Sequence, residues 1–392
     1  MSRVFLSNLV LLLIINAVVK PFYVFGIDRT VQNAVGAETY GIFFTLLSFC
    51  YLFQIVQDAG LQQYNARYVA RNRDLIREYL PHVMGTKLIL GALFILLVYA
   101  AGFVTGYSTK YITFFLWVAG NLVLDSWLLF LRTNLTGLGK YRVDVWMSAF
   151  DKGIMIALCG FLLLYSDDFI IEYFLACQTI SFLLPIAVCL ILLHSYSIDI
   201  DLHLTFRKAA RLLKRSAPYA LTVFLMYAYT KVDGVMLEQM LDDGPYQNGV
   251  YAAGYRILDA ANMVGFLFAT LLLPMFSNMM SNDEPIDDLA GLSFRLIWVL
   301  SVFTALICYF YQWEISELLY VEATPYWGIV LGLLMLSFIA RSVNYIYGTL
   351  LTARGAMKPM NQLFIGCLLL NIVLNFIIIP EYKSQGAAVT TL

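Results

Sequence analysis

Eight basic side chains interrupt stretches that are otherwise apolar: Lys20, Lys87, Arg132, Lys152, Lys231, Arg256, Arg295 and Arg341. A charge at the centre of a membrane-length apolar run carries a penalty of about 2.5–3.5 kcal/mol on insertion scales, so such residues face protein or trapped water and mark functional positions. Lys87, Arg132, Lys152 and Arg295 fall near the expected cytoplasmic ends of their runs, where a long side chain reaches the headgroups; the expected role of these four is positional. Lys20, Lys231, Arg256 and Arg341 are deeper, and the acids at comparable depth are Asp125, Asp233 and Asp259. Two arrangements answer to this pattern. In one, the bases are neutralised internally: Lys231 by Asp233 or Asp259, Arg256 by Asp259, Arg341 by Asp125. In the other, they line a hydrated, net-cationic cavity between two helical bundles. Four deep bases against three deep acids leave one base over even when pairing is complete. A cationic intramembrane cavity needs an anionic guest.

Little else in the chain offers chemistry of its own. The six cysteines, Cys50, Cys159, Cys177, Cys189, Cys308 and Cys367, lie in or beside apolar runs without CxxC spacing and read as small buried hydrophobes. His82, His194 and His203 stand at span ends or in loops and form no ligand cluster, so no metal site is expected. A nucleotide-binding loop and a Ser/His/Asp set are both missing, so ATP hydrolysis by the chain itself is not expected, nor is covalent catalysis or a cofactor. Asn134-Leu135-Thr136 is a formal glycosylation sequon at the cytoplasmic end of a span and carries no weight, and Asp167, Asp168 and Glu172 read as a solvated turn.

The elements that must hold the deep charges are transmembrane helices. Hydrophobic residues make up 61% of the 392, charged residues 13%, and the mean hydropathy is +0.76; a soluble domain is nearer 45–50% and about 25%. Spans of about 20 apolar residues are expected at 4–27, 39–60, 81–105, 111–136, 145–165, 169–193, 216–240, 247–276, 291–312, 325–352 and 360–380, with a twelfth beginning at Ser384–Leu392 that is too short to cross. The expectation is therefore a chain whose last helix is truncated. The runs are continuous rather than alternating, which excludes a β-barrel. Arg3 followed by Leu9–Val19 resembles a signal peptide, but no small-x-small site follows and the run continues past Lys20, so it reads as an uncleaved first helix. With a cytoplasmic N-terminus, fourteen loop bases fall inside and only Arg29, Lys110 and Lys383 outside, which supports both orientation and span count. The long connection His194–Arg215 carries Arg207, Lys208, Arg211, Lys214 and Arg215 against Leu204, Ala209, Leu212 and Leu213. It predicts a short basic helix lying on the cytoplasmic leaflet, chiefly as an anchor between two bundles.

Two internal echoes divide the chain in the same place. Gly36, Gly41 and Phe43 recur 208 residues later as Gly244, Gly249 and Tyr251. Leu124–Gly139 matches Ala340–Gly355 at an offset of 216, pairing Ser126 with Ser342, Thr133 with Thr349 and Gly139 with Gly355. Agreement in order and offset indicates a duplication. The predicted organisation is all-α and polytopic: a bundle of six helices over 1–193, a basic amphipathic linker over 194–215, and a second bundle over 216–392 with five helices and the start of a sixth. Lys20 stands 16 residues before Gly36 and Lys231 13 before Gly244, so the repeat sets the two lysines on similar faces of equivalent helices.

Several stretches carry a resemblance: KPFYVFGIDRTVQNAVGAETYGIFF, SAPYALTVFLMYAYTKVDGVMLEQML with GVYAAGYRILD, and the span ends TGLGK and TARGAMKP. They resemble bacterial polysaccharide-biosynthesis membrane proteins, flippases for O-antigen- and capsule-type lipid-linked oligosaccharides. These belong to the multidrug/oligosaccharidyl-lipid/polysaccharide (MOP) exporter superfamily, with the multidrug and toxin (MATE) exporters and the lipid II flippase. The resemblance implies two six-helix bundles about a pseudo-two-fold axis and a cavity that opens alternately to each side. It implies a bacterial inner-membrane location and an undecaprenyl-diphosphate-linked glycan as substrate, with membrane lipids, a polysaccharide polymerase and glycosyltransferases, and no nucleic acid, as partners. It further implies that Lys20, Lys231, Arg256 and Arg341 hold the diphosphate, and that Asp125, Asp233 and Asp259 are candidates for a coupling proton or sodium. Members have twelve or fourteen spans, so an end at Leu392 departs from the pattern. The alternative reading, a cation-coupled multidrug exporter of the same fold, would be expected to carry more deep acids than bases.

Overall fold

The computed structural model describes residues 18–62, 64, 76–166, 168–196 and 206–392. The start of the expected first span, the loop bases Arg67, Arg71 and Arg73, Asp167 and positions 197–205 lie outside the described residues. The described chain is helical: α1 (Val18–Val35), α2 (Ala37–Leu52), α3 (Gln54–Asp58), α4 (Ile76–Thr105), α5 (Tyr107–Lys110), α6 (Ile112–Gly137), α7 (Tyr141–Tyr165), α8 (Ile171–Ser195), α9 (Phe206–Met240), α10 (Gly244–Ser281), α11 (Asp287–Phe310), α12 (Gln312–Leu319), α13 (Pro325–Arg354) and α14 (Met357–Thr391). Among the described residues, nine helices are long and apolar enough to cross a membrane; α1 and α2, bent by 118° at Gly36, add a tenth as a pair. Gly36 makes that corner with φ +82°, a left-handed conformation that glycine adopts without steric penalty.

One departure from the sequence reading has a plain cause. The basic stretch forms no surface helix of its own. Arg207 to Met240 lie in the single helix α9, because the run from Arg207 to Lys214 consists of strong helix formers and propagates into the apolar segment. Its first turns expose Arg207, Lys208, Arg211, Lys214 and Arg215 while Leu212 packs inward, 7% exposed. α14 breaks at Lys383 (φ 52°, ψ −129°), between the expected eleventh span and the start of the expected twelfth. Asn371 Nδ2 donates to Thr390 O over 3.2 Å across 19 residues, which a straight helix, rising about 1.5 Å per residue, cannot do. Residues 357–382 and 384–391 are therefore two antiparallel helices meeting at a corner, and the second begins where the sequence reading starts a twelfth span.

The residues group into two compact units. One takes in the described residues up to Ala34 and Leu46–Ala228; the other is Val35–Thr45 with Tyr229–Leu392. In the first, α4, α6, α8 and the foot of α9 bury a core of Leu80, Val83, Leu131, Leu193 and Leu212. In the second, α10 packs on α13 around Tyr251, Leu258, Leu331, Leu334 and Phe338. The first sequence echo is a physical contact inside this second unit. A Cβ at Gly41 would overlap Pro245 O, and a Cβ at Gly249 would overlap Ala37 O. Both pairs follow the register of 208, since 37 maps to 245 and 41 to 249: each residue touches the counterpart of its partner. A pseudo-two-fold axis runs through this crossing of α2 and α10. The second echo is a shared helix end, for Gly139 (φ 80°) and Gly355 (φ 72°) terminate α6 and α13 in the same left-handed conformation.

Candidate functional site

In the second unit, three of the four deep bases lie against aromatic rings. α9 brings Lys231 Nζ 4.9 Å from the ring centroid of Tyr255 and 5.5 Å from that of Phe44. α13 brings the Arg341 guanidinium 5.4 Å from the same Tyr255 ring and 6.0 Å from Tyr229. α10 holds Arg256 4.3 Å from Tyr40. Each cation–ring contact of this kind is worth about 0.5–2 kcal/mol, the larger value when desolvated. Arg341 Nη1 donates to Tyr255 Oη over 3.3 Å, and its Nε is buried without an acceptor. Among the described residues Arg341 makes no ion pair. The pairing of Arg341 with Asp125 suggested by the sequence is thus replaced by a tyrosine, and Asp125 belongs to the other compact unit.

One layer deeper is Asp233, 1% exposed. The sequence offers it to Lys231, but among the described residues its oxygens accept from neutral donors: Tyr251 Oη at 2.9 Å, Thr391 Oγ1 at 2.8 Å and Asn375 Nδ2 at 2.7 Å. Asn375 Oδ1 accepts from Thr390, and Asn371 Oδ1 accepts from Asn375 at 3.1 Å. Among the described residues this buried carboxylate makes no ion pair and is met by two hydroxyls and an amide N–H; its own oxygens and the hydroxyl oxygens are ligands of the kind a small hard cation takes. Tyr251 joins the two arrangements, since its hydroxyl serves Asp233 while its ring lies 5.6 Å from Tyr255 and 6.4 Å from Phe44. Asp259, the third acid of the sequence reading, lies exposed on α10 a turn beyond Arg256.

The first unit deals with its charges differently. Lys87 does not snorkel: it is 1% exposed, its Nζ donating to Ser126 Oγ at 2.7 Å and to Asp58 Oδ1 at 3.4 Å, with the Phe130 ring 5.6 Å away. Arg132 pairs with Asp144 at 2.9 Å and Lys152 with Asp151 at 3.1 Å, so these two are also held within the protein. Lys20, half-buried on α1, makes no ion pair or hydrogen bond among the described residues and stands within electrostatic reach of Arg132, Lys152 and Asp151. Asp125 is within reach of Lys152, Asp151, Arg132 and Lys87. The structure thus gathers Lys231, Arg256 and Arg341 in one unit and sets Lys20 with Asp125 in the other.

Sequence reasoning passed over Asp58 and Asp151 as deep acids, and Tyr251, Asn371, Asn375, Thr390 and Thr391 as partners of Asp233. One signal was there to be read. Asn371 and Asn375 are one helical turn apart in an apolar run, two amides on one face that must find polar partners.

The sequence model of the polysaccharide biosynthesis protein family matches residues 6–280. No curated protein matches the chain significantly. Among solved structures, the lipid II flippase MurJ in an inward closed conformation aligns with a TM-score of 0.72 at 15% identity, covering 97% of this chain and 84% of that one. An inward-facing multidrug resistance MATE family transporter of the MOP superfamily gives 0.69 at 12%, covering 98% and 93%. A mutant of the Vibrio cholerae MATE transporter VcmN gives 0.65 at 13%, covering 98% and 91%. At such identities the likeness is one of fold. The chain belongs to the polysaccharide biosynthesis protein family and is a multi-pass membrane protein with the MOP transporter fold.

Proposed function

We propose that the chain is a flippase, moving an undecaprenyl-diphosphate-linked oligosaccharide from the inner to the outer leaflet of the bacterial cytoplasmic membrane, with its N-terminus cytoplasmic. The observation that carries the proposal is Arg341, which rests on Tyr255 and Tyr229, makes no ion pair among the described residues and keeps its buried Nε without an acceptor, with Lys231 and Arg256 in the same unit against Tyr255, Phe44 and Tyr40. A ring face steadies a guanidinium without consuming its N–H donors, and the unused Nε of Arg341 stays available to a diphosphate; guanidinium is suited to bidentate phosphate contacts. Lys20 contributes a fourth positive charge from the first bundle. The moving bodies are the bundles 1–193 and 216–392 joined through 194–215. Asp233 carries the coupling proton or sodium, with Asp125 and Asp259 in secondary roles, and the Tyr251–Tyr255 contact links its occupancy to the anion site. Membrane potential assists, since two negative charges moving outward against an inside-negative 100 mV release about 4.6 kcal/mol, roughly 2.3 per charge.

The experiment is restoration of surface glycan in a strain lacking its flippase. Arg341→Gln and the pair Lys20→Ala with Lys231→Ala should each lose export while inserting normally. Normal export by both would overturn the reading, and resistance to cationic drugs on expression would favour a multidrug exporter instead.

A further inference from the structure

The corner between the last two helices sits at the junction of two networks. On one side, Lys383 Nζ donates to Asp243 Oδ2 at 2.8 Å, beside the start of α10, and Gln247 Nε2 donates to the same oxygen at 2.8 Å. Ser384 follows with its Oγ donating to Gln247 O at 2.7 Å, and its backbone N donating to Tyr326 Oη at 3.1 Å. On the other side, residues 384–391 run back along the preceding helix and end with Thr390 on Asn375 and Thr391 on Asp233. Between them Lys383 holds φ 52° and ψ −129°, backbone angles natural to glycine and strained for a side-chain-bearing residue. A lysine kept in that conformation by an ion pair is a device for setting the direction of the segment that follows it.

We propose that Lys383 is a positioning residue: clamped to Asp243, it holds residues 384–391 so that Thr391 and Thr390 complete the shell of Asp233. This rests on the reading of Asp233 as the coupling-cation site, and the experiment keeps the two apart. The clamp makes no contact with Asp233 itself and acts only through the helix it aims. Glycine at the corner would adopt the same angles without strain and would no longer need the clamp, whereas an uncharged, unbranched side chain such as methionine would keep the strain and lose the ion pair.

The test uses the full chain in nanodiscs, with hydrogen exchange at 384–391 and the sodium and proton dependence of thermal unfolding as readouts. Lys383→Met and Asp243→Asn should each speed exchange in 384–391 and raise the half-stabilising sodium or proton concentration by about fivefold, the factor matching a partly exposed ion pair. Lys383→Gly should restore both towards wild type. A merely structural clamp would lower the unfolding temperature but leave the half-stabilising concentration unmoved, and that result, or unchanged exchange in Lys383→Met, overturns the proposal. Asp233→Asn is the separate arm. If it retains the full cation dependence, the coupling site lies elsewhere and that reading falls, while the exchange data still decide whether the clamp aims the segment.

Discussion

Replacing a buried cation by methionine should have opposite consequences in the two units, and the contrast tests whether Arg341 is there for the fold or for a ligand. Arg341 gains two ring contacts, at 5.4 and 6.0 Å, and one hydrogen bond to a neutral hydroxyl at 3.3 Å. These are worth about 1–4 kcal/mol from the rings and about 1 kcal/mol from the hydrogen bond. Against them stand the insertion penalty of about 2.5–3.5 kcal/mol and a buried Nε with no acceptor, which forfeits about 1–3 kcal/mol. The terms nearly cancel. Arg341→Met should therefore leave the unfolding free energy within about 1 kcal/mol of wild type, the range of a shape-conserving swap. Lys87 is the opposite case. Asp58, its partner at 3.4 Å, is itself buried, and removing the lysine leaves that carboxylate uncompensated; Lys87→Met should destabilise by about 3–5 kcal/mol. Binding of a short-chain polyprenyl diphosphate should invert the order. Arg341→Met loses charge-assisted bonds of about 1.5–3 kcal/mol each, an affinity loss of about 10- to 150-fold, while Lys87→Met in the protein that still folds binds normally. Thermal unfolding in detergent together with titration calorimetry measures both quantities. An Arg341→Met protein as destabilised as Lys87→Met, or one that binds the diphosphate undiminished, would refute the reasoning.

Other outcomes follow from the same geometry. Gly41→Ala and Gly249→Ala each drive a methyl into a backbone carbonyl of the facing helix, so both should destabilise by about 1–3 kcal/mol or more, whereas Gly120→Ala and Gly153→Ala, which meet open space, should not; unfolding midpoints separate them. Glu322→Ala removes the acceptor of the Ala37 N–H at 3.0 Å, a cap supplied from 285 residues away, and should cost about 1 kcal/mol, read as faster amide exchange over the first turn of α2. Partial burial pushes the Asp243 carboxyl up, but the bonds from Lys383 and Gln247 outweigh it and hold the group below the usual carboxylate range. A depressed carboxyl stabilises the fold above its unfolded value, near 3.9, and loses that contribution as the pH falls through the folded value. The acid limb of the unfolding temperature should accordingly be steeper in wild type than in Asp243→Asn, and identical limbs would remove the corner from the account.

The architecture was legible because membrane physics leaves few options: apolar runs of the right length, loop bases and two registered echoes carry nearly all of it. The glycines of the first echo were legible as a repeat but not as a contact, since nothing in their spacing says that Gly41 and Gly249 meet across an axis. The site was read in part. Depth along a span singled out Lys231, Arg256, Arg341 and Asp233 as candidates, yet depth is one coordinate, and what neutralises each base depends on rotation about the helix axis. That is why Arg341 was matched with an aspartate when a tyrosine holds it. Lys87 was misread for a related reason: it lies near a helix end, where snorkelling is permitted, but α3 stops at Asp58 and turns through Ala59 and Gly60, both left-handed, which sets the carboxylate beside it.

Duplication alone would give two halves with the same electrostatics, and here they differ. The first unit pairs Lys87 with Asp58, Arg132 with Asp144 and Lys152 with Asp151, Lys20 having no such pair among the described residues; the second rests Lys231 and Arg341 on a shared tyrosine and holds Asp233 by neutral donors. A carboxylate-paired base has spent its charge, and drawing it toward a ligand exposes the acid it leaves. A ring-supported base has not, because the ring is neutral, and Arg341 keeps a buried Nε without an acceptor. Equally, an acid held by hydroxyls and an amide takes up a cation by reorienting those donors, with no ion pair to break. On the proposed reading, the separation of Asp233 from the nearby bases would let one unit receive an anion and a cation without breaking an ion pair, and Tyr251, bonded to the acid and packed on the Tyr255 ring, would be where the two events meet.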